Sequence, residues 1–399
     1  MRNGGLFSLK SQVQNPEFKM GALFKGRVKD LASDGRGVVT HPSGRTFFVS
    51  GVWPGEEGEF RITGLKGRIG FAQLHRIELG GEHSARVQPQ CSHHGFYREN
   101  CGGCPWQFMA YEQQLAAKQQ RVEQAIARLK TKAVVKPILP SPKQWAYRNR
   151  AQFKSDGRVV GYVAPASNSL VAIEQCPVLS EKNQRTLSAM IEALPKASWR
   201  PGKKQHWTTL DIDESVDVTG VSVNQRLPFQ QANSDQNVQM QTWLTECLSE
   251  LKEPGNVLEL FCGSGNLTET IVQSIDSRVV AVEAIETALK RLREKALPRV
   301  EAVACDLFSE RDTEKLLPTI CSSEILVLDP PREGLKVKAP FFVKKSRLKH
   351  IFYLSCDLAT FSRDVSEFMA QGYHLKEVQP LDMFPHTAHI EIMGYLQRK

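Results

Sequence analysis

Nowhere does the chain approach the roughly 18 uninterrupted apolar residues of a membrane span, and its opening, MRNGGLFSLKSQVQ, lacks an apolar core of signal-peptide length. Disulfide-framework cysteine is missing too. Nine cysteines, an odd number, are scattered over 399 residues, unlike the dense, even sets of small secreted scaffolds. These absences set the expectation of a cytoplasmic protein in a reducing compartment, with no membrane partner and a monomer as the default. Internal repeats and low-complexity tracts are also absent. With 41% hydrophobic and 24% charged residues, the composition excludes a collagen, a coiled-coil rod and a wholly disordered chain. The length is too great for one ordinary domain and predicts two or three.

Acidic residues are in short supply in only part of the chain. Net charge is +9, yet residues 1–90 hold 13 Lys/Arg against 8 Asp/Glu and residues 91–225 hold 18 against 11, which leaves 21 against 24 for residues 226–399. All of the positive excess lies in the first 225 residues. A basic half joined to a mildly acidic half points to a polyanion-gripping part beside a chemical part. A basic face without any partner accounts for the charge equally well.

From Phe18 to Leu79, short β-rich runs are punctuated by glycine, with turns every 8–12 residues. This predicts a small antiparallel barrel with a turn at Trp53-Pro54-Gly55-Glu56. Lys25, Arg27, Arg36, Arg45, Lys66 and Arg68 make it a plausible OB-like oligonucleotide binder; an inert stabilising barrel is the alternative. A cysteine-rich turn, CSHHGFYRENCGGCPW, then leads into a helical pattern. There Leu115, Val122, Ile126 and Leu129 share a face opposite Lys, Arg, Gln and Glu. YRNRAQFKSDGRVVGYV reads as a hairpin about Asp156-Gly157, and a weakly patterned segment follows to about residue 225. From 226 onward strands and helices alternate, the pattern of an α/β sheet with crossover helices.

In NVLELFCGSGNLTETIV, an apolar strand runs into Gly263-x-Gly265 and then a helix. Glycines there let the backbone turn tightly and approach a ligand. A second strand ends in Glu283, placed to take hydrogen bonds from ribose hydroxyls. Dinucleotides and S-adenosylmethionine both use this arrangement. GSGN runs on through Leu267 to Thr268 without completing the dinucleotide pattern GxGxxG, and ELFCGSG favours the methyl donor. Asp329-Pro330-Pro331-Arg332 ends a further buried-type strand, and its Arg departs from the NPPY or DPPY pattern of amino-group methyltransferases. Cys356 ends another strand, before a helix that Thr360 and Ser362 open, where a thiolate can be stabilised. A buried structural thiol is the alternative. His386, His389 and Glu391 lie before or within the last strand, where a carboxylate can act as a general base or merely face solvent. Cys101 and Cys104 form a CxxC, which fits a redox pair, half a zinc site or cluster ligands.

With Cys356 and Glu391 set beside CGGC (101–104), FQQAN (229–233), ELFCGSGN (259–266), DPPREG (329–334), SCDLATFSRD (355–364) and FPHTAHIE (384–391), the chain resembles S-adenosylmethionine-dependent RNA uracil-C5 methyltransferases. It is most similar to the iron–sulfur 23S ribosomal RNA uracil-5-methyltransferase branch. The resemblance implies an N-terminal tail (1–17), a TRAM/OB-like β-barrel that binds RNA (18–80), a mixed α+β iron–sulfur domain (81–225) and a Rossmann-like class I α/β methyltransferase domain (226–399). It makes Cys356 the nucleophile and Glu391 the general base. Gln231, Phe261, Asn266, Glu283, Asp306 and Asp329 become S-adenosylmethionine contacts. Cys91, Cys101, Cys104 and Cys176 become ligands of a 4Fe–4S cluster. Two features depart from the family: Asp357-Leu358 follows the nucleophile where Asn-Pro is usual, and nine residues separate Cys91 from Cys101 where five are more common. The implied partner is RNA, ribosomal rather than transfer RNA because related tRNA enzymes often lack both barrel and cluster. A tRNA uracil-C5 methyltransferase is the second reading, and a non-catalytic iron–sulfur RNA binder on the same scaffold is the third.

Overall fold

Glycine-punctuated alternation in the first stretch folds as five strands: β1 (Leu23–Leu31), β2 (Gly37–Thr40), β3 (Thr46–Ser50), β4 (Glu57–Lys66) and β5 (Ile69–Ile77). They close into a barrel in the order β1-β2-β3-β5-β4. The computed structural model describes residues 18–165 and 167–398, so the tail at 1–17 lies outside the described residues. Phe24, Val28, Val39, Phe47, Val49, Phe60 and Ile62 fill the barrel, every second residue pointing inward as the pleat requires. Gly70 makes room for the Phe47 ring, since a Cβ there would lie 2.2 Å from it. The expected turn is present: Gly55 has φ +93° and the Glu56 amide donates to the Trp53 carbonyl at 3.1 Å. The barrel is not wholly antiparallel, because β5 returns beside β3 in parallel to close it.

By its contacts, the chain divides into two compact units, one ending at Gln88 and one beginning at Pro89. The second unit opens with helix α1 (Tyr111–Arg128) and the short strand β6 (Val134–Val135). An antiparallel sheet follows, built from β7 (Arg150–Ser155), β8 (Val160–Val163), β9 (Leu170–Ala172), β10 (Thr208–Asp213) and β11 (Ser222–Val223) in the order β11-β10-β7-β8-β9, with α2 (Glu181–Glu192) between β9 and β10 in the chain. The β7–β8 connection is the expected hairpin, with Gly157 at φ +86° and Asp156 accepting from the amides of Arg158 and Val159, both at 2.8 Å.

The remaining strands are β12 (Val257–Leu260), β13 (Val279–Glu283), β14 (Val300–Ala304), β15 (Ile325–Leu328), β16 (His350–Ser355), β17 (Tyr373–Leu381) and β18 (Glu391–Arg398). With β6 they form one sheet in the order β14-β13-β12-β15-β16-β18-β17-β6. Strands β12 to β16 are mutually parallel, and β18 is antiparallel to both of its neighbours. The helices are α3 (Ser234–Ser249), α4 (Asn266–Ser274), α5 (Glu286–Glu294), the short α6 (Glu310–Glu314) and α7 (Leu317–Ser322), and α8 (Leu358–Ala370). One sheet face packs Leu258, Leu260, Leu326, Ile351 and Tyr353 with Val122 and Ile126 of α1 and Phe361, Val365 and Phe368 of α8. The other packs Val257, Ile325, Val327 and Phe352 with Met240, Trp243 and Leu244 of α3 and Ile271 of α4. Near-continuous apolar runs, rather than alternation, mark strands covered on both faces. The strand order reverses at β12, which leaves a crevice beyond the carboxyl ends of β12 and β15.

Helix α1 differs from the expected split into apolar and polar faces. Tyr111, Gln114, Lys118, Val122 and Ile126 are its buried residues, one stripe spaced three and four apart. Gln114 and Lys118 are wholly buried, so the stripe turns polar at its amino-terminal end instead of facing solvent. Among the described residues, no helix is long and apolar enough to cross a membrane.

Candidate active site

Strand β12 ends in a backbone reversal. Phe261 adopts φ +61° and Gly263 φ +56°, and Gly265 caps α4 at φ +89°. A Cβ on Gly265 would also meet Leu292 at 2.5 Å, so both conformation and space require glycine. Phe261 is no glycine, and its left-handed backbone is the kind of strain that collects at ligand sites. The turn floors a cleft of about 860 Å³, part of it open to solvent, lined in part by Phe229, Gln231, Asn237, Glu259, Phe261, Asn266 and Asp329. Of the six expected cofactor contacts, Gln231, Phe261, Asn266 and Asp329 therefore line one cleft.

Glu283 and Asp306 are not among its lining residues. Glu283 Oε2 accepts from the Gly263 amide at 3.1 Å, and its Oε1 accepts from the amides of Ala284 and Ile285 at 2.8 and 3.0 Å. The carboxylate thus pins the glycine turn to the end of β13. Asp306 Oδ1 accepts from the Phe308 amide at 2.9 Å, which sets Phe308 with its ring 6.0 Å from that of Phe261. Asn266 is gripped by α3: its Oδ1 accepts from Asn237 at 3.0 Å and Gln241 at 3.1 Å, and its Nδ2 donates to Asn237 at 2.8 Å.

Three lining or supporting groups escaped the sequence reading: Glu259, Asn237 and Gln241. Glu259 is buried, accepts from Thr268 Oγ1 at 2.6 Å, and burial pushes its carboxyl up to about 8. It stands inside ELFCGSGN, so the motif contained the signal although its strand position reads as core. Asn237 and Gln241 lie one helical turn apart on α3 and carry no local signal.

The register of β16 against β18 sets Ser355 opposite Ile392, so the next residue, Cys356, comes level with Glu391, the first residue of β18. Asp329 directly follows β15, which pairs in parallel beside β16. These three acids and Arg332 form one electrostatic group. Burial first, then the Glu391 and Asp329 carboxyls, push the Cys356 thiol up to about 12, with Arg332 opposing. Burial and Asp329 push Glu391 far above the usual carboxylate range, again opposed by Arg332. Burial lifts Asp329 to about 7. Burial and the two neighbouring carboxyls thus favour the thiol form of Cys356, against the direction in which a helix terminus would act. Asp357, rather than Thr360 or Ser362, caps α8, accepting from the amides of Ala359 at 3.0 Å and Thr360 at 2.9 Å. Arg332 also donates to His389 Nδ1 at 3.1 Å. Burial and that guanidinium hold His389 near 4, a neutral ring.

Cys91, Cys101, Cys104 and Cys176 are all free thiols, drawn from two connections of the second unit. Burial, then Cys176 and Cys101, push Cys104 up to about 12; burial and Cys101 push Cys176 to about 11; burial and Cys91 raise Cys101. The four are thus within electrostatic reach of one another, with Arg148 opposing the shifts at Cys101, Cys104 and Cys176. Among the described residues, no group of three or more His, Cys, Asp or Glu side chains is placed to hold a metal ion.

A family model described as tRNA (Uracil-5-)-methyltransferase matches residues 200–399. An uncharacterised RNA methyltransferase of Nitrosomonas europaea is 39% identical, over 94% of this chain and 97% of its own. The 23S rRNA (uracil(1939)-C(5))-methyltransferase RlmD of Photorhabdus laumondii is 30% identical, over 92% of this chain and 95% of its own. The crystal structure of Pyrococcus abyssi tRNA (uracil-54, C5)-methyltransferase, in complex with S-adenosyl-L-homocysteine, superimposes with a TM-score of 0.68 at 21% identity, over 93% of this chain and 100% of that one; it shares the fold. A cleft at the switch point of a parallel sheet, a thiol level with a buried carboxyl beside it, and these matches converge: the chain belongs to the tRNA (uracil-5-)-methyltransferase family and is an RNA (uracil-5-)-methyltransferase.

Proposed function

We propose that the chain methylates C5 of a uracil in 23S ribosomal RNA through a covalent adduct with Cys356, using S-adenosylmethionine held in the cleft at β12. The observation that carries this is the placement of Cys356 level with Glu391 across β16 and β18, with Asp329 in electrostatic contact with both and lining the cleft. Uracil C5 is too weak a nucleophile to attack a sulfonium methyl directly. The Cys356 thiolate adds to C6, and the C5=C6 electron pair shifts to form an enolate. C5 takes the methyl group as the S–CH₃ bond breaks, leaving S-adenosylhomocysteine. Glu391 as carboxylate removes the C5 proton, the C5=C6 bond re-forms, and the C6–S bond releases the thiolate. Arg332 favours the charged forms of both groups. The target base must leave its stack to reach them.

Gln231, Phe261, Asn266 and Asp329 would contact the methyl donor, with Glu283 and Asp306 shaping the turns beside it. The barrel within 18–80 would grip RNA, and residues 226–399 would carry the chemistry. Residues 81–225 would hold a 4Fe–4S cluster on Cys91, Cys101, Cys104 and Cys176. Four free thiols within electrostatic reach of one another are the donor set such a cluster takes. Its role would be structural, since methyl transfer moves no single electrons. Iron and acid-labile sulfide in the anaerobically purified protein, lost in a Cys104→Ala variant, would support the cluster.

Incubation with methyl-labelled S-adenosylmethionine and unmodified rRNA and tRNA, followed by digestion to nucleosides, tests the function. Label is expected as 5-methyluridine from 23S rRNA and to vanish with Cys356→Ala. Label confined to tRNA would keep the chemistry and replace the substrate. Undiminished methylation by Cys356→Ala would overturn the adduct.

A further inference from the structure

The segment between β17 and β18, Asp382 to Ile390, has no secondary structure of its own and leads directly into Glu391. It is nevertheless interior: Asp382, Met383, His386, Thr387 and Ala388 are all buried, and His386 sits at φ +66°. An irregular buried segment must find partners for its backbone polar groups outside itself. Three of these groups, the His386 amide and the Phe384 and Ala388 carbonyls, find partners on one stripe of α1; Leu139, Trp106, Tyr147, Asn233 and Gln236 serve others.

Tyr111 donates its hydroxyl hydrogen to Asp382 Oδ2 at 2.8 Å. Gln114 Oε1 accepts from the His386 amide at 2.8 Å, while its Nε2 lies 3.2 Å from His386 Nδ1 and donates to the Met109 carbonyl at 2.8 Å and the Trp106 carbonyl at 3.2 Å. Lys118 donates to Asp382 Oδ1 at 2.5 Å and to the Phe384 carbonyl at 3.3 Å. Arg121 donates to the Ala388 carbonyl at 2.8 Å. The Trp106 amide completes the clasp on the His386 carbonyl at 2.9 Å, and Trp145 stacks on the His386 ring at 4.0 Å. Positions 111, 114, 118 and 121 are successive steps along one helical face, and Gln114 holds both the ring Nδ1 and the amide of the strained His386.

We infer that Gln114 is a positioning residue for the general base: through His386 it fixes the path of the segment that delivers Glu391 to the C5 proton. The inference rests on Glu391 being the base. A misplaced base leaves addition and methyl transfer possible and slows only proton removal, so the methylated adduct between Cys356 and RNA accumulates. Gln114→Met removes every polar contact at near-constant volume.

We expect Gln114→Met to lower kcat by about 10–100-fold, the scale of a displacement of order 1 Å at a reacting group. The Michaelis constant for S-adenosylmethionine should stay unchanged, and a protein–RNA complex carrying labelled methyl should survive denaturing electrophoresis. Wild-type kcat without adduct, or a loss of adduct and product together, would overturn the inference. Should Gln114→Met fail to fold, Tyr111→Phe, which removes one oxygen, decides: trapped methylated adduct supports the positioning role and wild-type turnover sinks it. Glu391→Gln separates the two levels. If it turns over normally, the base assignment fails; if it traps adduct while the α1 variants do not, the positioning role alone fails.

Discussion

Burial and two neighbouring carboxyls push the Cys356 thiol up to about 12, so in the free protein the proposed nucleophile is held as thiol. Glu391 is raised as well, so the proposed base is held as acid. A raised acid pKa means that the active, deprotonated form is scarce at low pH and grows as pH rises. We therefore expect kcat/KM to climb from pH 6 to pH 9, by up to about tenfold per pH unit while one group controls the rate. Arg332→Gln should move this limb to higher pH, because Arg332 opposes both shifts. A flat profile in the wild type, or an unmoved limb in the variant, would contradict the electrostatic grouping. The two proposed reacting residues were legible because a thiol and a carboxylate at strand ends are chemically conspicuous. The height of their pKa values was not, since it comes from cross-strand neighbours that sequence separation conceals.

An N-cap illustrates what elements add to residues. Asp357-Leu358 stands where the family resemblance implies that Asn-Pro is usual. Asp and Asn are comparable N-caps, and Pro at the first helical position is favoured without being required. The structure places Asp357 at that cap and Leu358 as the first residue of α8, so the departure preserves a capped turn after Cys356. Asp357→Ala should cost about 1 kcal/mol of stability, read from a denaturant midpoint, and should lower kcat because α8 follows Cys356. Asp357→Asn should match the wild type within a few tenths of a kcal/mol. Equal midpoints for Ala and Asn would remove the cap from the account. Periodicity located α1 and the apolar residues Val122 and Ile126, but it read Gln114 and Lys118 as solvent-facing because polarity is normally the mark of exposure. It located the barrel strands as well, though the parallel closure of β5 on β3 depends on pairing, which alternation does not encode.

Across the whole second unit, the least legible contact is the one between residues 264 positions apart, Lys118 and Asp382, both with side chains at 0% exposure. Nothing in the helical pattern around Lys118 distinguishes it from the exposed Lys130, since burial is a property of what packs on the helix. Burial alone disfavours the ammonium, and the Asp382 carboxylate opposes that by attraction and hydrogen bonding. Removing one partner strands the other charge in a dry interior, which costs about 3–5 kcal/mol. Lys118→Met should therefore be strongly destabilising in chemical denaturation of the full chain. Adding Asp382→Asn, which removes the stranded charge and keeps an oxygen for the Tyr111 hydroxyl, should recover much of the loss, so that the double variant is more stable than Lys118→Met alone. This ordering is the mark of a desolvated pair, because two solvent-exposed partners would give small losses that simply add. A loss below about 1 kcal/mol for Lys118→Met would mean that water reaches Asp382, and the buried clasp between α1 and the segment before Glu391 would lose its anchor.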